Sequence, residues 1–328
     1  MGETRFDIVA MGDAIVDVIA SCDDEFLDTH GLPRGSMQLL SPEAADVLYA
    51  AMGQAREMSG GSAANSMAGI AAMGGKAAFI GQIADDQLGA IFRHDMRAFG
   101  VDFATSALSD GPPTGRCLIL VTPDGQRTMN TAPGASHELT AATLDRDLIR
   151  DSAILYLEGY LFGPDKPRAA MMEALAIAHG AGREVAFTLS ESVCIAARKE
   201  PFLAMIDDGG VDLLFCNEDE AIILTGLATL DAALAQLSAK VPTLVVTRGQ
   251  AGALAIENGE RVDVPAAPVG KVIDTTGAGD MFAAGFLTAR AKGHDLKRCL
   301  ETGGLAAADV IQRYGARPDG DMRKVVGL

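Results

Sequence analysis

The chain has 328 residues, of which 48% are hydrophobic, so it is long enough to bury a full core. Its 44 acidic residues outnumber 27 basic residues and give a net charge of −17. A surface this acidic repels nucleic acid and anionic lipid, and the composition predicts neither as a partner. If such a protein binds a polyphosphate, positive potential must be concentrated locally by backbone N–H groups, a metal ion and a few arginines.

The five cysteines are scattered along the chain and form no C-x-x-C pair. This pattern indicates buried thiols in a reducing compartment rather than a zinc site or a disulfide framework. No apolar signal region precedes the first predicted strand, and no apolar run reaches the about 18 residues that span a bilayer. We therefore expect a soluble, cytoplasmic protein.

Short apolar runs alternate along the chain with longer stretches of helical spacing. The predicted buried strands cover residues 8–11, 78–81, 154–157, 186–189, 213–216 and 244–247, and the predicted helices cover residues 42–52, 63–73, 87–99, 166–179 and 230–239. Apolar strands separated by helices are typical of a mostly parallel sheet covered by helices on both faces. The sequence therefore predicts a single α/β domain over residues 1–328.

Two segments, residues 15–38 and 114–131, interrupt this alternation with β-branched or alternating patterns. The second segment is predicted to turn at Pro123-Asp124-Gly125, as in a hairpin. We expect the two segments to pair as a small sheet that projects from the main domain; an edge hairpin without function is the alternative. The tail from Arg313 is predicted to be a surface loop.

The most informative segment is Asp274-Thr-Thr-Gly277-Ala278-Gly279-Asp280, which is followed by apolar residues at helical spacing. It predicts a tight turn into a helix, which leaves backbone N–H groups without intrahelical partners and suits them to an anion. Asp280 would repel that anion, so its presence fits a base that takes a proton from an attacking hydroxyl. A simple helix N-cap is the alternative.

This heptapeptide resembles the C-terminal signature of the ribokinase (PfkB) family, which includes ribokinase, fructokinases and adenosine kinases. The resemblance implies a ribokinase-like α/β fold with a small β-sheet lid, and ATP-dependent phosphorylation of a hydroxyl group. It also implies that Asp280 is the catalytic base. The amides of Gly277, Ala278 and Gly279 would form the anion hole.

A P-loop kinase is the rival class of phosphate-transferring enzyme, and the sequence argues against it. The nearest candidate, residues 73–76, continues with Ala77 where a P-loop requires Ser or Thr. No G-x-x-x-x-G-K-[ST] pattern occurs anywhere in the chain.

A second glycine motif, Gly60-Gly61, precedes a small-residue helix and resembles the family's first signature. In the family this di-glycine meets the substrate and acts as the lid hinge. Asn65, one helical turn later, can offer both a donor and an acceptor to vicinal hydroxyls. The resemblance makes Asp17, which closes a G-x-x-x-x-D pattern, the substrate anchor. Asp13 is the second candidate for that role.

Asn217-Glu-Asp-Glu220 follows a predicted strand, at the sheet edge where parallel α/β proteins bind ligands. It resembles the family's N-x-x-E motif, whose glutamate acts, largely through water, on the Mg²⁺ that the nucleotide carries. The resemblance therefore places Asn217 at the nucleotide and Glu220 near the metal ion. A solvated, acidic helix start is the alternative.

Thr247-Arg-Gly249-Gln-Ala-Gly252 resembles the family's T-x-G-x-x-G nucleotide loop, so these residues are expected near ATP. Arg127, just beyond the hairpin turn, can bring a guanidinium over the phosphates when the lid closes; a solvated hairpin arginine is the alternative. Family members are often activated by K⁺ held near the loop of Asp274. The sequence permits K⁺ without indicating it.

The order of the motifs indicates the reaction class more clearly than the acceptor. Residues 156–162, 189–190 and 299–315 resemble the adenosine kinase branch, and Tyr160 occupies the family position of an aromatic that stacks on the purine; a core tyrosine is the alternative. We therefore predict phosphorylation of a nucleoside hydroxymethyl group. A kinase of fructose, ribose or 2-keto-3-deoxygluconate and an inactive ligand-binding relative are the alternatives. Monomer and homodimer both stay open.

Overall fold

A computed structural model gives the fold of the chain and describes residues 4–328. Over this range the chain forms fourteen α-helices: α1 Asp24–Thr29, α2 Pro42–Ala51, α3 Ser62–Ala72, α4 Gln87–Ala98, α5 Arg146–Arg150, α6 Gly159–Phe162, α7 Asp165–Gly180, α8 Ser192–Ala197, α9 Lys199–Asp207, α10 Glu218–Thr225, α11 Leu230–Ser238, α12 Ala278–Ala291, α13 Leu296–Val310 and α14 Arg323–Val326. Short 3-10 turns occupy Gly134–Glu138, Ala141–Thr143 and Gly249–Ala251.

Over the same residues there are thirteen strands: β1 Phe6–Met11, β2 Ile15–Ser21, β3 Met37–Leu39, β4 Ala55–Ser59, β5 Ala77–Ile80, β6 Gly115–Val121, β7 Arg127–Ala132, β8 Ser152–Glu158, β9 Glu184–Thr188, β10 Leu213–Asn217, β11 Thr243–Thr247, β12 Ala253–Glu257 and β13 Glu260–Val264. The large sheet has the order β13-β12-β11-β10-β9-β8-β1-β5. Its strands from β11 to β5 run parallel, which confirms the predicted mostly parallel sheet.

An antiparallel hairpin of β12 and β13, absent from the prediction, completes one edge of the large sheet. It turns at Asn258 and Gly259, whose φ angles are 51° and 84°. Asn-Gly between two short strands is a strong signal for a two-residue hairpin turn. Because β13 is mostly exposed and charged, no apolar run marks it in the sequence.

Both faces of the large sheet are buried because neighbouring residues of a strand enter different cores. In β1, Ile8 and Ala10 join the core that contains residues of α3, α4, α12 and α13. Val9 and Met11 join the core that contains residues of α7, α9, α10 and α11. Strands buried on both faces have the continuous apolar sequence on which the prediction rested. The helix–sheet–helix layers are therefore confirmed.

Helix α12 packs closely against α13 on one face of the large sheet. A Cβ atom on Gly285 would lie 2.6 Å from the Thr302 carbonyl oxygen, and one on Gly303 would lie 2.7 Å from the Phe282 carbonyl oxygen. Only glycine permits this approach of the two backbones. The contact therefore fixes where the N-terminus of α12 lies.

The small sheet has five strands in the order β3-β7-β6-β2-β4. Strand β2 pairs with β6 in parallel, and β6 pairs with β7 in antiparallel across the expected turn, where Gly125 has a φ of 85°. Residues 15–38 and 114–131 thus meet in one sheet. Two elements next to this sheet were not predicted: α1, whose N-cap is Asp23, and β4, which leads into Gly60.

The tail from Arg313 is not the surface loop that the sequence predicts. Arg317, Met322 and Val326 are buried, and the Met322 N–H donates to the Ala72 carbonyl at 3.0 Å. The prediction was wrong because glycine, proline and charged residues dominate this stretch, and few apolar residues mark its contact with the domain.

Three of the cysteines, Cys117, Cys216 and Cys299, are buried, whereas Cys22 and Cys194 are partly exposed. All five are free thiols. Over residues 4–328 no single helix has the length and apolar character needed to cross a membrane, although α10 and α11, bent by 73° to each other, meet that criterion as a pair by length and composition.

We expect Phe92→Ala to lower the free energy of unfolding by about 3–5 kcal/mol, because it empties a fully buried site in a packed core. The Phe92 ring centroid lies 5.8 Å from that of Phe79 and 5.3 Å from that of Phe103. Val47→Ala, at a residue that is 68% exposed, should change stability by less than about 0.5 kcal/mol. Urea denaturation measures both; equal effects would contradict the packing at Phe92.

Candidate active site

A cavity of about 840 Å³ lies between the small sheet and the carboxyl ends of strands in the large sheet. This is the edge where parallel α/β sheets bind ligands. Most predicted site residues line it, namely Asp13, Asp17, Gly61, Asn65, Tyr160, Asn217, Glu220, Thr247, Gly277, Ala278, Gly279 and Asp280. The lining does not include Gly60, Arg127, Gly249, Gly252 or Asp274.

Asp280 lies in the first turn of α12, and its carboxylate is held by two donors from α3. The Ser62 hydroxyl donates to Oδ1 at 2.6 Å, and the Asn65 amide donates to Oδ2 at 2.8 Å. The Ser66 hydroxyl donates to the Asp280 backbone carbonyl at 3.0 Å. Helix α3 therefore sets the orientation of this carboxylate at the cavity.

Burial raises the pKa of Asp280 above its ordinary value. The hydrogen bonds from Ser62 and Asn65 and the charge of Arg317 oppose this increase. A carboxylate with a raised pKa is a stronger base than an exposed aspartate, which suits it to accept a proton from a hydroxyl.

The turn before α12 presents backbone N–H groups at the cavity. Gly277, the N-cap, has a φ of 76°, which favours glycine. Within residues 4–328 the N–H groups of Gly277, Gly279 and Asp280 meet no protein acceptor, whereas the Ala278 N–H donates to the Thr275 carbonyl at 3.2 Å. The turn can therefore offer several amides to an anion, with Ala278 already engaged.

Asp17 of β2 lies against Gly60, and its carboxylate lines the cavity. In the described part of the chain this carboxylate accepts no hydrogen bond from the protein. Burial raises the pKa of Asp17 to about 6, the charges of Arg317 and Arg127 lower it, and Asp280 raises it. A carboxylate in this position can accept hydrogen bonds from the hydroxyl groups of a ligand.

Asp13 also lines the cavity, but its carboxylate already accepts a hydrogen bond from the Ser136 hydroxyl at 2.6 Å. Beside it lies Glu158, which was not predicted as a site residue. The buried Glu158 carboxylate accepts the N–H of Asp13 at 2.5 Å and the N–H of Ala63 at 2.6 Å, and burial raises its pKa well above the usual range. Glu158 thus joins the end of β1 to the start of α3. An acidic residue ending an apolar strand was its one sequence signal.

Gly60 and Gly61 connect β4 to α3. The Gly60 N–H donates to the Ile15 carbonyl at 2.8 Å, and Gly61 has a φ of 89°. Asn65, one turn later, is engaged with Asp280 through its amide nitrogen, and its buried Oδ1 has no partner among the described residues. Asn65 therefore orients the Asp280 carboxylate, while its own Oδ1 is buried without a partner in residues 4–328.

Arg317, from the buried tail, is a further residue that sequence reasoning missed. It is 8% exposed and donates to the carbonyls of Gly60 and Ala64, at 3.3 Å and 2.7 Å. Its charge acts on both Asp17 and Asp280. Nothing in the local sequence distinguishes it from an arginine of an exposed loop.

Asn217 and Glu220 meet where β10 ends and α10 begins. The Glu220 N–H donates to Asn217 Oδ1 at 2.8 Å, and the Asn217 N–H donates to Glu220 Oε2 at 2.9 Å, which forms a capping box. Burial raises the pKa of Glu220, and the bond from the Asn217 N–H lowers it. One carboxylate at this edge fits a Mg²⁺ held mainly by nucleotide phosphates and water.

Thr247 ends β11 next to Asn217 and lines the cavity. Gly249 and Gly252 follow it with φ angles of 53° and 88°. The Gly252 N–H donates to the Gly249 carbonyl at 3.1 Å. These two glycines therefore shape the turn between β11 and β12 rather than the cavity wall.

Arg127, at the start of β7, forms an ion pair with Asp274, which precedes the turn of α12. The two side chains are 12% and 7% exposed. Asp274 also accepts the N–H of Thr276 at 3.0 Å and the N–H of Gly315 at 2.8 Å. In this structure the Arg127 guanidinium thus connects the small sheet to the segment that precedes α12.

Tyr160 of α6 lines the cavity and is partly exposed. Burial raises the pKa of its hydroxyl well above 10, so the side chain is a neutral phenol. Its ring can contact a planar, apolar part of a ligand.

Residues 36–321 match the model of the pfkB family carbohydrate kinases. This match covers most of the chain. The chain belongs to the pfkB family. It is an ATP-dependent kinase with a ribokinase-like fold, as the sequence motifs predicted.

Three similar proteins illustrate the range within the family. A crystal structure of adenosine kinase from Sinorhizobium meliloti is 44% identical, with a TM-score of 0.92 over 98% of this chain and 99% of that one. A probable sugar kinase protein from Rhizobium etli CFN 42 is 42% identical, with a TM-score of 0.93 over 99% and 98% of the two chains. A fructokinase from Klebsiella pneumoniae is 28% identical over 77% of this pfkB chain and 84% of its own.

We expect Asp17→Asn to raise the melting temperature at pH 7.5, with a difference that shrinks as the pH falls towards 4. The pKa of Asp17 is about 6 in the folded protein, above its value of 3.8 in a model peptide. The unfolded chain therefore ionises first, and the folded state loses up to about 3 kcal/mol as the pH rises through this window. Asparagine removes that penalty.

Thermal unfolding at several pH values measures this effect. Asp208→Asn, at an exposed carboxylate, is the control and should show no such pH-dependent gain. A pH-independent difference between wild type and Asp17→Asn would contradict the raised pKa.

Proposed function

We propose that this pfkB kinase transfers the γ-phosphoryl group of ATP to the hydroxymethyl group of a nucleoside such as adenosine. The observation that carries the proposal is the position of Asp280. Its carboxylate faces the cavity, oriented by Ser62 and Asn65, directly beside backbone N–H groups that have no protein acceptor among the described residues. A base next to an anion site is the arrangement that phosphoryl transfer to a hydroxyl needs.

In the proposed reaction the acceptor oxygen forms a bond to the γ-phosphorus while the bond between that phosphorus and the β–γ bridging oxygen breaks. The proton of the acceptor hydroxyl passes to Asp280, and ADP leaves. The N–H groups of Gly277, Gly279 and Asp280 stabilise the charge on the transferring group. Asp17 accepts hydrogen bonds from hydroxyl groups of the nucleoside, and Asn65, which also lines the cavity, orients the carboxylate of Asp280.

The nucleotide is proposed to lie along Asn217 and Thr247, near Glu220. Mg²⁺, when bound with ATP, would neutralise phosphate charge, and Glu220 would hold its water ligands. We propose that the small sheet is a lid on a single ribokinase-like domain. Its Arg127 lies at the anion-binding turn, where a guanidinium can exchange Asp274 for a phosphate oxygen.

A nucleoside acceptor is supported by the 44% identity to an adenosine kinase over nearly the whole length of both chains. Tyr160 supports it as well, because its ring lines the cavity where it can stack on a base. A sugar acceptor is the second candidate. It is supported by the 42% identity to a probable sugar kinase protein of the same fold.

We expect Asp280→Asn to fold, to bind Mg-ATP and to lose at least about 10²-fold in kcat, because the acceptor hydroxyl then has no base. Calorimetric titration with an ATP analogue and an assay of ADP release measure the two properties. Asp208→Asn is the matched control on an exposed surface and should retain wild-type kcat. Near-normal activity of Asp280→Asn would remove Asp280 from the mechanism.

A panel of adenosine, guanosine, ribose, fructose and 2-keto-3-deoxygluconate should show the highest kcat/KM with a nucleoside, by at least about tenfold, because a base adds stacking and apolar contact. Tyr160→Ala should raise KM for that nucleoside and leave KM for the sugars unchanged. Turnover of a free hexose alone would reject the nucleoside proposal and favour the sugar kinase.

A further inference from the structure

Arg317 is a buried cation that takes part in no ion pair among the described residues. It lies in the tail between α13 and α14 and is 8% exposed. A buried charge without compensation is costly, so its surroundings must repay the loss of hydration. Two features of those surroundings do so: a set of carbonyl oxygens and a pair of carboxylates at longer range.

The carbonyl oxygens belong to the turn that connects β4 to α3. Arg317 Nε donates to the Ser59 carbonyl at 3.1 Å, Nη2 to the Gly60 carbonyl at 3.3 Å and Nη1 to the Ala64 carbonyl at 2.7 Å. The guanidinium carbon lies 5.4 Å from the ring centroid of Phe99. One planar group with several donors thus grips both sides of the di-glycine turn, which a lysine ammonium cannot reproduce.

The carboxylates are those of Asp17, which lies against Gly60, and Asp280, which accepts hydrogen bonds from Ser62 and Asn65. Residues 60–65 therefore contact both carboxylates as well as Arg317. The charge of Asp95 also acts on Arg317. The charge of Arg317 lowers the pKa of both Asp17 and Asp280, while burial lowers the pKa of Arg317 to about 10, so it is protonated at neutral pH. The other titratable groups that face these carboxylates come from several elements: Arg127 of β7, Cys117 of β6, Tyr156 and Glu158 of β8, and Tyr160 of α6.

Arg127 is the other cation among these groups, and it is paired with Asp274. The carbonyl bonds of Arg317 leave its positive charge unneutralised, because carbonyl oxygens are dipoles. That charge is therefore free to act on the two carboxylates through the low-dielectric interior.

We propose that Arg317 is a positioning residue with two effects: it clamps the turn at Gly60, and its positive charge acts on the carboxylates of Asp17 and Asp280, which contact the same stretch of chain. The second effect deepens the proposed function, since Asp280 can act as a base only when it is ionised. The inference rests on the proposed function for that consequence, but the charge effect can be measured without any substrate.

The test compares two variants. Arg317→Gln removes the charge and keeps an amide donor, whereas Arg317→Lys stays positively charged at the acidic pH values where carboxylates titrate. Arg323→Gln is the control, because this arginine of the same tail is exposed and bound to Asp321. Carbon-13 NMR of the aspartate carboxyl groups in the ligand-free protein follows each titration. Asp17→Asn and Asp280→Asn assign the two signals.

In Arg317→Gln both signals should titrate about one pH unit higher than in wild type, because an opposite charge nearby has been removed. In Arg317→Lys and Arg323→Gln they should stay near the wild-type positions. Unchanged titration in Arg317→Gln would overturn the proposal, since a purely structural residue leaves these values unmoved.

If glutamine prevents folding, Arg317→Met, a neutral side chain of similar reach, replaces it. An upward shift of both carboxylate signals in Arg317→Met supports the charge effect, and wild-type titration in that variant overturns it. Because no turnover is measured, the result is independent of the kinase assay. An active Asp280→Asn would contradict the proposed function whatever the titrations show.

Discussion

The two hydrogen bonds that α3 donates to Asp280 hold the site together. Ser62 and Asn65 lie 218 and 215 positions before Asp280 in the chain, yet each holds one of its carboxylate oxygens. The di-glycine turn that begins α3 is in turn gripped by Arg317 and lies on Asp17. The N-terminal and C-terminal motifs are therefore joined by hydrogen bonds, and a change in either alters the orientation of the Asp280 carboxylate.

The negative charge of the chain and of its cavity opposes the binding of an anionic ligand. The protein carries a net charge of −17, and its cavity is lined by Asp13, Asp17 and Asp280, with Glu158 beneath it. Positive potential comes from backbone N–H groups, from Arg198 in the lining, and from Arg127 and Arg317 behind it. Polyphosphate and carboxylates can share the cavity because these dipoles and charges are fixed before any ligand arrives.

The sequence predicts the parallel strands of the large sheet, several of its helices and most of the motif residues that line the cavity, because each carries a local signal such as an apolar run or a glycine turn. It does not indicate that Asn65 would bind Asp280 or that Arg127 would pair with Asp274, since both contacts join distant segments. Glu158 and Arg317 are missed for the same reason. Their roles come from burial against other parts of the chain, and neither belongs to a recognisable motif. Strand β13 is missed because its exposed, charged sequence is typical of a loop. The tail is missed because its polar, glycine-containing sequence is typical of an exposed segment, although Arg317 and Met322 are buried.

The glycine contacts between α12 and α13 divide the molecule into a stiff part and an adaptable part. With Gly285 and Gly303 letting the two backbones touch, α12 cannot slide or rotate without a clash, so the carboxylate it carries keeps its place. The small sheet lines the same cavity with side chains of β3, β6 and β7. If Asp280 is the base, as we propose, substitutions on those strands can change the accepted alcohol while the base stays in place.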